Sequence, residues 1–156
     1  MGETGRSTGD GYEIGIRAIN SMADFERSLD LLSLFFDGQI PDPDILRQGY
    51  QQACAYGYNQ FIAETGEALV GSISIKPVYD PLEAGLVYEI NHLIVARDYR
   101  RMGIGSALLE KCHSYARSNR AIGVRLLSYK HDEKAQAFYR EKGYTGVCNL
   151  MIKPLQ

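Results

Sequence analysis

The spacing of apolar residues changes several times along the chain, and each change marks an element. From Tyr12 to Ile19 the run YEIGIRAI alternates as a strand does, and after Ser21 a helical period begins, with Phe25, Leu29, Leu32 and Phe36 on one face. Gly38, Pro41 and Pro43 interrupt it, and a second helix follows from Asp42, a residue suited to an N-cap. NQFIAE and ALVGSISIKPVY read as two strands of a hairpin turning at Thr65-Gly66, and GLVYEINHLIVA as a third, longer strand. From Ser106 to Ser118 the stripe Leu108, Leu109, Cys112, Tyr115 and Ala116 has the spacing of a helix packed on a sheet. GVRLLSY then predicts a strand, DEKAQAFYREKG a helix ending at Gly143, and GVCNLMIK a last strand. The order βααβββαβαβ mixes hairpins with a strand-helix-strand crossover, which predicts an α+β domain with a mixed sheet and helices on its faces.

The length of 156 residues fits one domain, expected over residues 12–156 behind a polar, Gly-rich tail at 1–11. No apolar run approaches the roughly 18 residues of a membrane span, so no membrane partner is expected. Met1-Gly2 does not signal myristoylation, because Arg6 stands where Ser or Thr is required. Cys54, Cys112 and Cys148 are odd in number and far apart; each is expected to be a small buried hydrophobe, with no disulfide framework and a cytoplasmic setting. With three histidines and no paired ligand spacing, no metal site is expected.

Charge sharpens the picture. Residues 1–90 hold 14 acids and 5 bases, a balance of −9, whereas 91–156 hold 5 acids and 12 bases, a balance of +7. The two halves are either solvated faces or receivers of oppositely charged ligands. Nucleic acid is not favoured, since the basic residues are not interleaved with stacking aromatics.

The stretch RRMGIGSALLE joins a strand to a helix through two glycines. It lacks the Gly-Lys-Ser/Thr end of a P-loop, and Leu108 stands where a dinucleotide fingerprint needs its third glycine. What remains is a loop whose backbone amides run into a helix N-terminus, a place for a pyrophosphate, with Arg100 and Arg101 adding charge. Here the chain resembles the GNAT superfamily of acetyl-CoA-dependent N-acetyltransferases. Arg100, Arg101, Met102, Gly103, Ile104 and Gly105 match that family's R/Q-x-x-G-x-G/A loop, Leu93-Ile94-Val95 and Tyr99 match what precedes it, and Ala135, Tyr139, Gly143 and Tyr144 match its A-x-x-x-Y-x-x-x-G-F segment. The resemblance covers roughly residues 12–153. It departs at Arg97, where the family often has Pro, and at Asp132, where it often has Asn.

The resemblance implies the acyl-CoA N-acyltransferase fold, with a mostly antiparallel central sheet, and acetyl-CoA as co-substrate. It places the pantetheine arm along Leu93, Ile94 and Val95, the pyrophosphate on Arg100 to Ser106, and a further pantetheine contact at Asp132. It implies a proton for the leaving thiolate from Tyr139, whose other reading is half of an aromatic packing pair with Phe138. Glu89 stands where some members carry a general base, and it is otherwise an exposed strand residue. A base there calls for burial that raises its pKa above about 4.3. His92 is the second candidate, on the opposite face unless a bulge intervenes. The acceptor pocket is implied near Phe35 to Leu46, where Asp37, Asp42 and Asp44 point to a cationic amine. The protein is expected to be a monomer or homodimer. The rivals are a silent acyl-CoA-binding sensor or interaction module and, more distantly, a dinucleotide-dependent oxidoreductase.

Overall fold

A computed structural model describes residues 6–7, 13–33, 39–79, 85–147, 151 and 153–154. They divide into two compact units, Met1–Arg125 and Leu126–Gln156. The elements in chain order are β1 (Arg6–Ser7), β2 (Glu13–Ala18), α1 (Met22–Leu32), α2 (Pro43–Ala55), β3 (Asn59–Thr65), β4 (Ala68–Val78), β5 (Val87–Val95), α3 (Ile104–Ser118), β6 (Gly123–Leu126) and α4 (Glu133–Glu141). The strands lie side by side in sequence order, antiparallel from β1 through β5. β6 runs the same way as β5: the Ile122 amide meets the Leu86 carbonyl at the strand starts, and Arg125 meets Glu89 three residues further along both. The sheet is therefore mixed and mostly antiparallel, in an α+β fold.

Two residues of the stretch read as a tail, Arg6 and Ser7, pair with Ile14 and Glu13. β6 stops at Leu126 rather than Tyr129. The last strand expected at 146–153 includes residues 148–150 and 152, which lie outside the described residues, as do Phe35, Phe36, Asp37 and Cys148. Cys112 is fully buried, as expected, and its thiol is pushed up to about 12 by burial. Cys54 is exposed, against expectation, because it lies on a face of α2 turned from the core.

The alternation of β3 and β4 divides the sheet into two unlike faces. Phe61 and Ile73 face α3, where Leu108, Leu109, Cys112 and Ala116 are buried and Tyr115 meets Phe61 and Tyr88 edge-on, both at 5.6 Å. Ile62 faces the other way, packed with Ile19 and with Phe25 and Leu29 of α1, while Tyr50 of α2 stacks on Phe25 at 4.2 Å. The start of α1 is fixed by Ser21, whose hydroxyl accepts from the Asp24 amide. Arg17 of β2 grips Asp24 through two hydrogen bonds of 2.7 and 2.8 Å and also reaches Glu64 of β3, so Asp24 is held down to about 2.

α3 lies close on β4 because Gly71 has no side chain there. A Cβ at Gly71 would stand 3.0 Å from Leu108 Cδ1, 3.2 Å from Ile104 Cγ2 and 3.2 Å from the Ile94 carbonyl oxygen. Gly71→Val is expected to lower stability by about 1–3 kcal/mol through overpacking, and Gly71→Ala by less. Urea unfolding checks this, and a Gly71→Val protein as stable as the parent would contradict it.

Candidate active site

The first part of the site is the end of β5 and the start of α3. A short 3-10 turn at Arg97–Tyr99 leads into Arg101 and Gly103, both with left-handed backbones (φ 67° and 80°). Gly103 is the N-cap of α3 and offers no side chain to the helix end, and the first helical bond runs from the Ala107 amide to the Gly103 carbonyl at 3.0 Å. The amides of Gly103, Ile104, Gly105 and Ser106 thus precede the intrahelical ladder and stand at the positive end of the dipole. A Cβ at Gly103 would meet nothing within 4 Å, so the glycine serves its backbone conformation rather than a close contact within the chain. Of the two arginines, Arg100 is turned back on the strand, its Nε donating to the Val95 carbonyl at 2.9 Å, whereas Arg101 is exposed.

Leu93 and Val95 are half-buried, and Ile94 is buried. On its inner side β5 pairs with β4, Ile94 to Ser72 and Val95 to Gly71. β6, the neighbour of β5 on its other side, ends at Leu126, and β5 runs to Val95. Val95 leads through the 3-10 turn at Arg97–Tyr99 to the α3 N-terminus.

The second part is the middle of β5. Between Asn91, paired with Ser74, and Ile94, paired with Ser72, the register shifts by one residue, and His92 there has φ 52°. This is a bulge, with His92 and Leu93 standing opposite Ile73. Strict alternation therefore ends at His92. Its imidazole is pushed below the usual value by desolvation and by the Lys76 charge, so it is neutral at pH 7.

Glu89 is not an exposed strand residue: it is 7% exposed. Lys76 Nζ lies 3.1 Å from its Oε1, Arg125 Nε lies 3.0 Å from its Oε2, and Asn91 Nδ2 reaches Oε1 at 3.5 Å. Desolvation alone would raise its pKa, but the bonds and charges of Lys76, and then Arg125 and Asn91, outweigh it and leave the carboxyl below its ordinary value. The rise expected for a base at Glu89 is thus reversed. Sequence reasoning missed Lys76, Ser74, Asn91 and Arg125, because their pairing depends on registers between distant segments. The alternation of Ser72, Ser74 and Lys76 with Gly71, Ile73 and Ile75 was the one local sign of a polar face.

Asp42 and Asp44 serve α2. Asp42 accepts from the Asp44 amide at 2.8 Å as the N-cap, and Asp44 pairs with Arg47, which also binds Glu26 at 2.7 Å.

In the second unit, Asp132 caps α4 by accepting from the Ala135 amide at 2.9 Å. The helix ends with the Tyr144 amide on the Tyr139 carbonyl and the Gly143 amide on the Arg140 carbonyl, Gly143 having φ 87°. Tyr139 stands edge-on to Phe138 and Tyr144, and burial, then the Asp132 charge, pushes its hydroxyl up, so it is protonated at pH 7. Among the described residues no cluster of His, Cys, Asp and Glu is placed to hold a metal, and no helix is long and apolar enough to cross a membrane.

Comparison with known proteins identifies the family. The uncharacterized N-acetyltransferase YhfO of Bacillus subtilis (strain 168) is 30% identical over 83 residues, 53% of this chain and 56% of that protein. The chain thus spans about half the length of relatives it matches by sequence. Among solved structures, a transcriptional regulator from Bacillus halodurans C-125 superposes with TM-score 0.80 at 18% identity, over 91% of this chain and 99% of that one. An aminoglycoside acetyltransferase from an uncultured soil metagenomic sample, in complex with sisomicin, does so with TM-score 0.76 at 19% identity, over 92% and 95%. The model of the acetyltransferase (GNAT) family matches residues 25–144, and the chain belongs to that family.

Proposed function

We propose that the chain transfers the acetyl group of acetyl-CoA to a primary amine. The observation that carries this reading is the direct run from the end of β5 at Val95, through the turn at Arg97–Tyr99, to the free amides at the start of α3. A strand edge suits the amides of pantetheine, and a helix N-terminus suits a pyrophosphate. The residues that would hold the cofactor are Leu93, Ile94 and Val95 through their backbones and Arg101 to Ser106 through theirs. Arg100 supports the loop from within through its bond to Val95. Asp132, engaged as a cap, bears on the cofactor by resemblance alone.

In the transfer, the amine nitrogen attacks the thioester carbon, the carbon–sulfur bond breaks, the nitrogen gives up a proton and the thiolate takes one. A neutral imidazole at His92, placed by the bulge, is the base we assign, with Glu89 acting through water as the competing assignment. Glu89 in this scheme holds Lys76 and Arg125 in place as an ionised carboxylate. Tyr139, protonated at pH 7, is assigned the proton for the thiolate on the resemblance and its chemistry. The acceptor we assign is a cationic amine: the acidic balance of residues 1–90 supports it, as does the sisomicin complex of the metagenomic relative. The burial of Glu89 between two cations favours a second reading, an acyl-CoA-binding module without transfer, since it makes the carboxylate a weaker base and ties it to Lys76 and Arg125.

A thiol-release assay with acetyl-CoA and a panel of aminoglycosides, polyamines and lysine peptides tests the reading. Release with at least one amine is expected; coenzyme A binding without release on any would favour the silent module. The pH profile separates the bases. His92 has its pKa lowered, so its base form is lost only as pH falls through a value below about 6.5, and Glu89 would titrate below about 4.3. His92→Gln is expected to lower turnover by roughly 10²–10⁴ and to remove that acid limb, while Glu89→Gln keeps the limb. Identical profiles for His92→Gln and the parent would return the proton to Glu89 or water. Gly103→Val forces a branched residue into φ 80° and is expected to weaken coenzyme A binding at least about tenfold, as a strained left-handed residue costs roughly 1–2 kcal/mol. Calorimetry on a folded variant with unchanged affinity would contradict this.

A further inference from the structure

The face of the sheet that carries Glu89 holds a buried polar track that the transfer chemistry does not use. Gln60, Ser28, Ser72 and Ser74 are each 2% exposed or less. Gln60 Nε2 donates to Ser72 Oγ at 2.7 Å and to Ser28 Oγ at 3.1 Å, and Ser28 Oγ donates to the Phe25 carbonyl at 2.6 Å. Ser74 Oγ donates to the Asn91 carbonyl at 2.9 Å. The Tyr58 hydroxyl donates to Gln60 Oε1 at 3.5 Å. No buried side-chain nitrogen or oxygen among the described residues lacks a partner. Polar groups in the middle of a central strand, between the fully buried Ile73 and Ile75, cost stability unless they hold something in place.

What they hold is the bulge. Ser74 stands opposite Asn91, the last regular pair before His92, and Ser72 stands opposite Ile94, where pairing resumes. A bulge takes a residue out of the ladder and leaves its flanking backbone groups short of strand partners. The Ser74 hydroxyl supplies a donor to the carbonyl on one flank.

The place of the bulge matters because a strand slipped by one residue turns every side chain to the other face. Glu89 lies opposite Lys76 and Asn91 opposite Ser74 only on the near side of the bulge, and Ile94 opposite Ser72 only beyond it. We propose that Ser74 is a positioning residue that pins the β5 bulge and thereby sets the backbone of His92 and Leu93 toward the bound thioester. This rests on the transfer reading above. Ser74 touches neither cofactor nor acceptor in this scheme; it acts through the Asn91 carbonyl.

The test uses the full chain and two variants. Ser74→Ala removes the donor and Ser74→Thr restores it. Amide exchange and amide chemical shifts of His92 and Leu93, followed by NMR with and without coenzyme A, read the bulge independently of turnover. In Ser74→Ala, exchange at His92 and Leu93 is expected to quicken at least about tenfold relative to Ile73 and Ile75, and kcat to fall by about 10²-fold, as misplaced reacting groups do, with the KM for acetyl-CoA changed less than threefold. Ser74→Thr should restore both. Unchanged exchange at His92 and Leu93 in Ser74→Ala, or unchanged kcat beside quickened exchange, would overturn the proposal, as would a uniform loss of protection that Ser74→Thr does not rescue. If the parent protein shifts the His92 and Leu93 amides on coenzyme A but transfers to no amine, the transfer reading fails. The grip of Ser74 on the bulge is then still decided by whether Ser74→Ala abolishes those shifts.

Discussion

The close seating of α3 on β4 at Gly71 is the constraint on which the cofactor side of the molecule depends. Leu108 and Ile104 approach within the space a side chain at Gly71 would fill, so the first turn of α3 has one place on the sheet. The loop from Ala96 to Gly103 is short and carries two left-handed residues, Arg101 and Gly103, that turn it sharply. With both ends fixed, the free amides at the start of α3 stand at the end of β5. The Arg100 bond to the Val95 carbonyl closes the same loop from the other side. The anion site proposed at this helix end therefore follows from how an apolar helix packs, with a basic loop adding charge.

The opposite face answers a different demand. A central strand is ordinarily filled with apolar side chains on both sides when helices cover both, yet Ser72, Ser74, Glu89 and Asn91 all lie on one side of β4 and β5. The bulge at His92 explains why these groups are tolerated: a broken ladder needs side-chain donors, and a buried carboxylate needs cations. Lys76 and Arg125 are each about half exposed while Glu89 is enclosed, so the charges are desolvated on one side only. Such a pair is weak evidence of stability, since desolvation offsets much of the attraction, but it keeps Glu89 ionised through the neutral range.

Much of this was legible in the sequence where the signal is local. The period of Phe25 and Leu29, the stripe from Leu108 to Ala116, the Asp42 cap and the Gly143 stop each depend on neighbours a few residues away, and each lies where its spacing places it. The glycine turn that opens α3 was legible for the same reason. The bulge was not, since a histidine rather than a glycine takes the left-handed backbone at its centre and nothing in INHLIV marks it. The environment of Glu89 was not, because burial was foreseen without the two cations that strand registers bring to it. Gly71 looked like any strand glycine until the helix above it was placed.

The central claim is that the β5 edge and the α3 N-terminus form one continuous surface that reads pantetheine and pyrophosphate together. Calorimetric titration of the full chain with coenzyme A and, separately, with pantetheine tests it most directly, because pantetheine keeps the amides and thiol but lacks the phosphates. The account predicts pantetheine at least about 10²-fold weaker, since losing two charge-assisted hydrogen bonds at about 1.5–3 kcal/mol each suffices for that. Equal affinity for the two would mean that the amides at the start of α3 hold no phosphate, and would contradict the account.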